Sequence, residues 1–209
     1  MNKIIKYILL LVVIALVGYK SVYFKKLSTM GVSGTARFEV VPFTNKLWNE
    51  QLPSKLDSAV ELDTLTAAIE RNSEKAFQQY SHAIAIGNYR YCLVKFSGMV
   101  DSVLEDEVIV HLPLNGTFAR SVHLATEFIY GNAIRDASNL VDIRDFSNTV
   151  DLNNISEEFN KKVRKEVLPS FKKAVKVGDN VEVTGAIKFN KAHVDLQAME
   201  ILPLRLKIN

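Results

Sequence analysis

Val177-Gly178-Asp179-Asn180-Val181-Glu182-Val183-Thr184-Gly185 is the stretch on which the reading of this chain turns. Gly178-Asp179 is a turn pair, and after it Val181 and Val183 alternate with Glu182 and Thr184, giving one apolar and one polar face. The pattern runs on through Ile187 and Phe189, but Gly185 interrupts its apolar face. A glycine in mid-strand removes a side chain where the backbone must bend sharply, as at the corner of a small closed barrel. Read this way, the stretch is a late strand of a five-stranded barrel of the OB type. β-Sandwiches use the same pattern.

Other segments repeat the period of two. Val108, Val110, Leu112 and Leu114 alternate with Ile109, His111 and Pro113. Val122, Leu124, Thr126, Phe128 and Tyr130 alternate with Ser121, His123, Ala125 and Glu127, and Leu202, Leu204, Leu206 and Ile208 close the chain. Such segments suit an antiparallel sheet with one wet face. Two helices accompany them. The first is expected from Glu61 to Tyr80 on Leu62, Leu65, Ile69, Ala76 and Tyr80, with Asn72 its polar break and Asp57 or Asp63 its cap. The second is expected from Asn154 to about Ser170 on Ile155, Phe159, Val163 and Val167. Asn154 and Glu157 resemble a capping box there, Asp151 and Asn153 assist the start, and Pro169 closes it. Upstream, Phe38–Pro42 reads as a short extended run. Phe43–Trp48 then reads as a helical turn ended by Pro53.

At the N-terminus, residues 4–24 read IIKYILLLVVIALVGYKSVYF. The apolar heart, Tyr7–Tyr19, is 13 residues, but lysines snorkel at its edges and tyrosines suit the interface, so all 21 positions serve to cross a bilayer. A cleaved signal peptide is the rival reading. Val17-Gly18-Tyr19-Lys20 is a poor cleavage site, and no cysteine follows the apolar run to take a lipid. The chain thus divides into a membrane signal-anchor over residues 1–26, a tether over 27–37 and one domain over 38–209. The expected class is α+β: a transmembrane helix, then a mostly antiparallel OB-like barrel with two main helices. A short N-terminus staying inside places the bulk of the chain in the periplasm, held by a single pass at the cytoplasmic membrane.

The net charge of +3 belongs to that anchor. Residues 1–26 hold five lysines and no acid, so 26 − 5 = 21 cationic residues face 23 acidic ones over 27–209, a balance of −2. A domain of that sign lacks the basic face that displaces phosphate counterions, so no nucleic-acid partner is expected. The single cysteine, Cys92, sits in an apolar run and forms no intrachain disulfide. The four histidines share no helical or strand spacing that would bind a metal, and phosphate-loop, dinucleotide and nucleophile-elbow patterns are absent. Neither metal nor cofactor is expected, and no catalytic residue is assigned.

One segment is dense in polar groups: Gly131-Asn-Ala-Ile-Arg-Asp-Ala137, continuing through Asp142, Arg144, Asp145 and Asn148. Arginine offers a planar fork for anions, and Asp and Asn suit sugar hydroxyls or a hard cation. Asn132, Arg135, Asp136, Asp145 and Asn148 are therefore the candidate ligand or partner contacts. The rival reading is structural, with Arg135–Asp136 or Arg144–Asp145 bracing a long loop.

With these residues in view, Gly131–Ala137, Asp145-Phe-Ser-Asn148, residues 150–163 and Val177–Gly185 resemble the bacterial family of predicted periplasmic lipoproteins. Trp48, residues 60–69 and Phe96-Ser-Gly-Met-Val100 fit its layout, so the likeness spans roughly residues 38 to 208. The resemblance implies an OB-like domain of unknown function whose members are often encoded beside sugar ABC-transporter components. It carries over no catalytic residues, and this chain departs from it in lacking the lipid-bearing cysteine. The expectation is a non-enzymatic accessory or binding module, with an ABC transporter component or a sugar as partner. The alternative is an envelope enzyme acting on carbohydrate through Asp136, Asp142 or Asp145 as paired carboxylates. An oligonucleotide-binding module is disfavoured by charge.

Overall fold

Strand by strand, the second unit of the chain, Glu39–Asn209, follows from where its side chains must bend. The computed structural model describes residues 5, 7, 38–84, 86–112 and 121–209. The anchor expected over 4–24 and the tether over 27–37 lie outside the described residues, Ile5 and Tyr7 apart. No helix among the described residues is long and apolar enough to cross a membrane.

The elements run α1 (Val40–Lys46), α2 (Leu52–Asp57), β1 (Val60–Glu61), α3 (Leu62–Tyr80), β2 (Tyr89–Val103), β3 (Glu107–His111), β4 (Ser121–Ala125), α4 (Ala133–Ser138), α5 (Thr149–Lys162), α6 (Leu168–Ala174), β5 (Asn180–Asn190) and β6 (Met199–Ile208). The strand order is β1-β2-β3-β4-β6-β5, and β5 pairs back onto β2, so β2 through β6 close into a barrel. All barrel pairs are antiparallel except β4–β6, and the two-residue β1 adds in parallel to β2.

Gly185 is the corner the sequence announces. A Cβ there would meet the Leu202 carbonyl oxygen and Ile201 Cγ2 at 2.6 Å, and the β5–β6 register shifts between Thr184 and Gly185. Gly178 takes φ +91°, and Asp179 closes that turn by accepting the Lys176 backbone N–H at 2.8 Å. The strand β2 makes a second corner. Tyr89–Met99 pairs with β5 and Met99–Val103 with β3, and at Gly98 a Cβ would lie 2.5 Å from the His111 carbonyl oxygen. One long strand thus serves two neighbours, which is how a sheet becomes a barrel.

The core fills the barrel. Val94, Val110, Val122, Leu124, Val181 and Ile201 are fully enclosed, α3 contributes Leu62, Leu65, Ile69 and Phe77, and α6 contributes Phe171. Each such side chain stabilises the fold by about 1.5–3 kcal/mol relative to exposure.

Several boundaries differ from the expectations. The strand expected to Tyr130 ends at Ala125, because the Thr126 and Glu127 N–H groups turn onto the Asp106 carbonyl; Phe128 and Tyr130 are exposed. The run from Phe38 to Pro42 is helical from Val40, not extended. Neither Asp57 nor Asp63 caps α3, whose N-cap is Glu61 without a side-chain bond. Asn72 does break that helix, at φ −163°, ψ 97°, and its Oδ1 accepts the Lys75 N–H at 3.0 Å, restarting the next turns. The second long helix begins earlier than expected, at Thr149, capped by Asn148 rather than Asn154.

Pro53 and Pro169 do not end their helices. Each follows a five-residue π turn, Leu47–Gln51 and Val163–Val167, and enters the next helix near its first position. A proline inside a regular α-helix collides with the carbonyl four residues back. The widened turn, with Leu52 N–H bonded to Leu47 O and Leu168 N–H to Val163 O, removes that collision and lets both helices continue.

Candidate functional site

The polar segment between β4 and α5 divides into a buried half and an exposed half. Gly131, at φ +81°, turns the chain into α4, a short helix whose residues Ala133–Ser138 are all buried. Within it Arg135 and Asp136 form an ion pair: Nε donates to Oδ1 at 2.7 Å and Nη2 approaches the same oxygen at 2.7 Å. The second carboxylate oxygen, Oδ2, accepts from Asn132 Nδ2 at 2.7 Å, and the Ile84 backbone N–H also donates to this carboxylate. Asn132 Oδ1 in turn accepts from the Tyr91 hydroxyl at 3.2 Å, tying α4 to β2. Arg135 Nη1 donates to the Leu152 carbonyl at 3.0 Å, tying α4 to α5. Burial pushes the Asp136 carboxyl above its ordinary range, and Arg135 offsets this only in part.

The exposed half is separate. Asp142 accepts from the Arg144 guanidinium, Nη2 at 2.5 Å, and also from the Arg144 backbone N–H at 2.9 Å. Arg144 holds the Asp142 carboxyl down at about 2. Arginine 144 therefore pairs with Asp142 rather than with its neighbour Asp145, which ends the 3₁₀ turn Ile143–Asp145. Asn148 Oδ1 caps α5 by accepting the Asp151 N–H at 2.9 Å, while its Nδ2 donates to Asp151 Oδ2 at 2.8 Å.

Of the five candidate contacts, Asn132, Arg135 and Asp136 come together in one buried knot, while Asp145 and Asn148 stand outside it. Asp136, Asp142 and Asp145 do not present a matched acid pair. Asp136 is 1% exposed with both oxygens occupied, and Asp142 is gripped by its own arginine.

Beside the knot lies a polar cavity of about 320 Å³, lined by Gly131, Asn132, Arg135, Asn153, Ser156, Glu157 and Asn160. Asn160 is 1% exposed. Its Nδ2 donates to the Gly131 carbonyl at 2.9 Å, while its buried Oδ1 has no partner among the described residues. A buried acceptor left bare is costly, and this one belongs to a residue that lines the cavity. Sequence reasoning missed Asn160. The available signal was the Ser156/Asn160 pair, two polar residues one turn apart beside the apolar stripe of Ile155 and Phe159.

The model of one family, predicted periplasmic lipoproteins of unknown function, matches residues 12–207. The chain belongs to that family. Among solved structures, an OB-fold protein from Thermotoga maritima is similar at 25% identity and a TM-score of 0.73, covering 83% of this chain and 100% of that one. It shares the barrel just described. An OBody bound to hen egg-white lysozyme reaches a TM-score of 0.27 at 14% identity, covering 56% of this chain and 79% of that one, too little to carry an argument. No curated protein matches the chain. Set against the lipoprotein family, this sequence has one cysteine, Cys92, buried within β2, its thiol pushed up to about 12 by burial. That thiol is shut away from lipid attachment.

Proposed function

We propose that the chain is a non-enzymatic binding module of the cell envelope, taking a polyhydroxylated solute in the cavity beside α4 and α5. It works alongside an ABC-type system for sugar or related solute uptake. The observation that carries this reading is the unpartnered Asn160 Oδ1 at a cavity that Arg135 also lines. Arg135 uses three of its five N–H groups on Asp136 and Leu152, which leaves two donors. A sugar hydroxyl both donates and accepts, so one such group can donate to the Asn160 oxygen and accept a hydrogen bond from Arg135. Membership of a family of predicted periplasmic lipoproteins supports the extracytoplasmic setting. With Cys92 buried, the apolar residues 4–24 are the part of this sequence suited to hold the domain at the membrane as a single-pass anchor.

A carbohydrate-active enzyme built on Asp136, Asp142 or Asp145 has less support, since a working pair must face the scissile bond across a cleft. An oligonucleotide partner is opposed by the acidic balance of residues 27–209. The test is calorimetric titration of the full chain in detergent with ribose, glucose and maltose, beside the Asn160→Leu variant. Saturable binding of one of them, lost in the variant, is expected. Absence of binding to all three, or binding that Asn160→Leu leaves intact, sinks the cavity assignment. The transport link has its own readout: deletion of the gene slows uptake of the bound sugar, and unaltered uptake refutes it.

A further inference from the structure

A second concavity lies elsewhere, beside the later turns of α3. About 760 Å³ in volume, it is bounded by those turns, by Ala83, Ile84, Ile86 and Gly87 ahead of β2, and by the turn that leaves β5. Its floor is Phe77, buried and packed ring to ring on Phe189 at 5.7 Å. Its polar wall carries Ser73, Glu74, Gln78 and Ser81 from the restarted part of α3 and the residue after it, and two cations face them, Arg90 and Lys191.

These cations are organised. Arg90 Nη1 donates to the carbonyls of Gly87 at 3.0 Å and Tyr89 at 2.8 Å, which fixes the guanidinium while leaving its Nε and Nη2 groups unbonded among the described residues. The Lys191 backbone N–H donates to the Asn88 carbonyl at 2.8 Å, so the turn bearing Lys191 is tied to the loop that holds Arg90. Neither side chain joins an ion pair among the described residues, and neither does Glu74. Among the described residues Arg135, Arg144, Arg164 and Arg205 are paired with acids, and Arg71 on α3 is not.

We propose that this cleft is a second binding site, for a small hydroxylated monocarboxylate of the sugar-acid class. Two cations and one carboxylate leave a charge of +1 in the cleft, which one carboxylate cancels. The fixed guanidinium offers its planar fork to that carboxylate, and Lys191 adds a point charge. Glu74, Ser73 and Gln78 take the hydroxyls, and Phe77 packs beneath the carbon chain. Glu74 also opposes a second acidic group, so a dicarboxylate binds less well. The site shares no residue with the cavity around Asn160 and does not depend on it.

The test is calorimetry on the full chain in detergent micelles, carrying Asn160→Leu so that the neutral-sugar cavity is silent, with gluconate, glucose and glucarate as probes. Gluconate binds, while glucose and glucarate bind about tenfold more weakly or not at all. Lys191→Gln, which replaces a side chain with no bond among the described residues, weakens gluconate about tenfold, and Arg90→Gln weakens it at least as much. Asn160→Leu leaves gluconate unchanged, which separates this site from the neutral-sugar cavity. Equal affinity for gluconate and glucose, no heat with gluconate, or a Lys191→Gln protein that binds as the parent does each overturns the assignment.

Discussion

Arg135–Asp136 and Arg144–Asp142 are made of the same two side chains in one stretch of loop and short helix, yet water treats them differently. The first pair is 7% and 1% exposed, the second 85% and 40%. Their geometry is alike, with nitrogen–oxygen distances of 2.7 Å and 2.5 Å. In the buried pair the charges have lost their hydration, so Asp136 depends on Arg135, Asn132 and the Ile84 N–H, and Arg135 depends on Asp136 and the Leu152 carbonyl. In the exposed pair each group falls back on solvent. The contact distance therefore says little about what a pair contributes, and burial says most of it.

Breaking the buried pair from one side has the largest expected effect. Asp136→Ala leaves Arg135 buried without its counter-charge and removes the acceptor for Asn132. A destabilisation of about 3–5 kcal/mol is expected, read from thermal or urea unfolding of the full chain. Replacing both partners, Arg135→Met with Asp136→Leu, is expected to recover much of that loss, because no uncompensated charge remains. A double variant as unstable as the single one would mean that the backbone ties to Leu152 and Ile84, rather than the charge, carry the knot.

The next effect is on titration, and the two aspartates differ in sign. Asp136, pushed up by burial, contributes stability that is complete below the unfolded carboxyl value of about 3.9 and is lost as pH rises through its raised folded value. Asp142, held at about 2 by Arg144, contributes stability present above that unfolded value and lost as pH falls toward 2. Carboxyl-carbon NMR shifts followed from pH 2 to 7 are expected to resolve one aspartate titrating near 2 and another above the ordinary range. If Asp136 titrates below about 3.9, the arginine outweighs desolvation and the comparison reverses.

How far these regions could be read from residues alone follows from the same contrast. The barrel corner at Gly185 was legible because a glycine on an apolar strand face has few other uses. The strand β2 was not, although it is the longest. Tyr91 to Val94 is buried on both faces, so it shows a continuous apolar run instead of an alternation. The prolines misled because a π turn, which depends on the geometry of the whole helix, lets the chain pass Pro53 and Pro169. In the polar segment the Arg135–Asp136 brace was visible, but Asn148 rather than Asn154 caps α5 and Arg144 pairs with Asp142 rather than Asp145. The long-range bonds were not visible at all: Tyr91–Asn132 and Asn160–Gly131 join residues 41 and 29 positions apart. Arg135 and Arg144 looked equivalent because burial is set by packing that no local pattern records.

The smallest effect belongs to Asp142→Asn, and it is the sharpest test of the contrast. Asparagine keeps an oxygen at Oδ1, so the bond from the Arg144 N–H that starts the 3₁₀ turn survives, and only the charge is removed. Arg144 then loses a partner in water, where its guanidinium is hydrated in any case. The unfolding midpoint of Asp142→Asn is expected to fall only slightly below the parent at neutral pH, and less in high salt than in low, while the titration near pH 2 disappears. Asp142→Ala, which also deletes the cap, separates the two roles of this side chain: a midpoint clearly lowered in the alanine variant alone assigns its contribution to the turn. A clear loss in the asparagine variant would show instead that the exposed ion pair holds the loop against α4, making the two arginine–aspartate pairs one unit rather than a contrast.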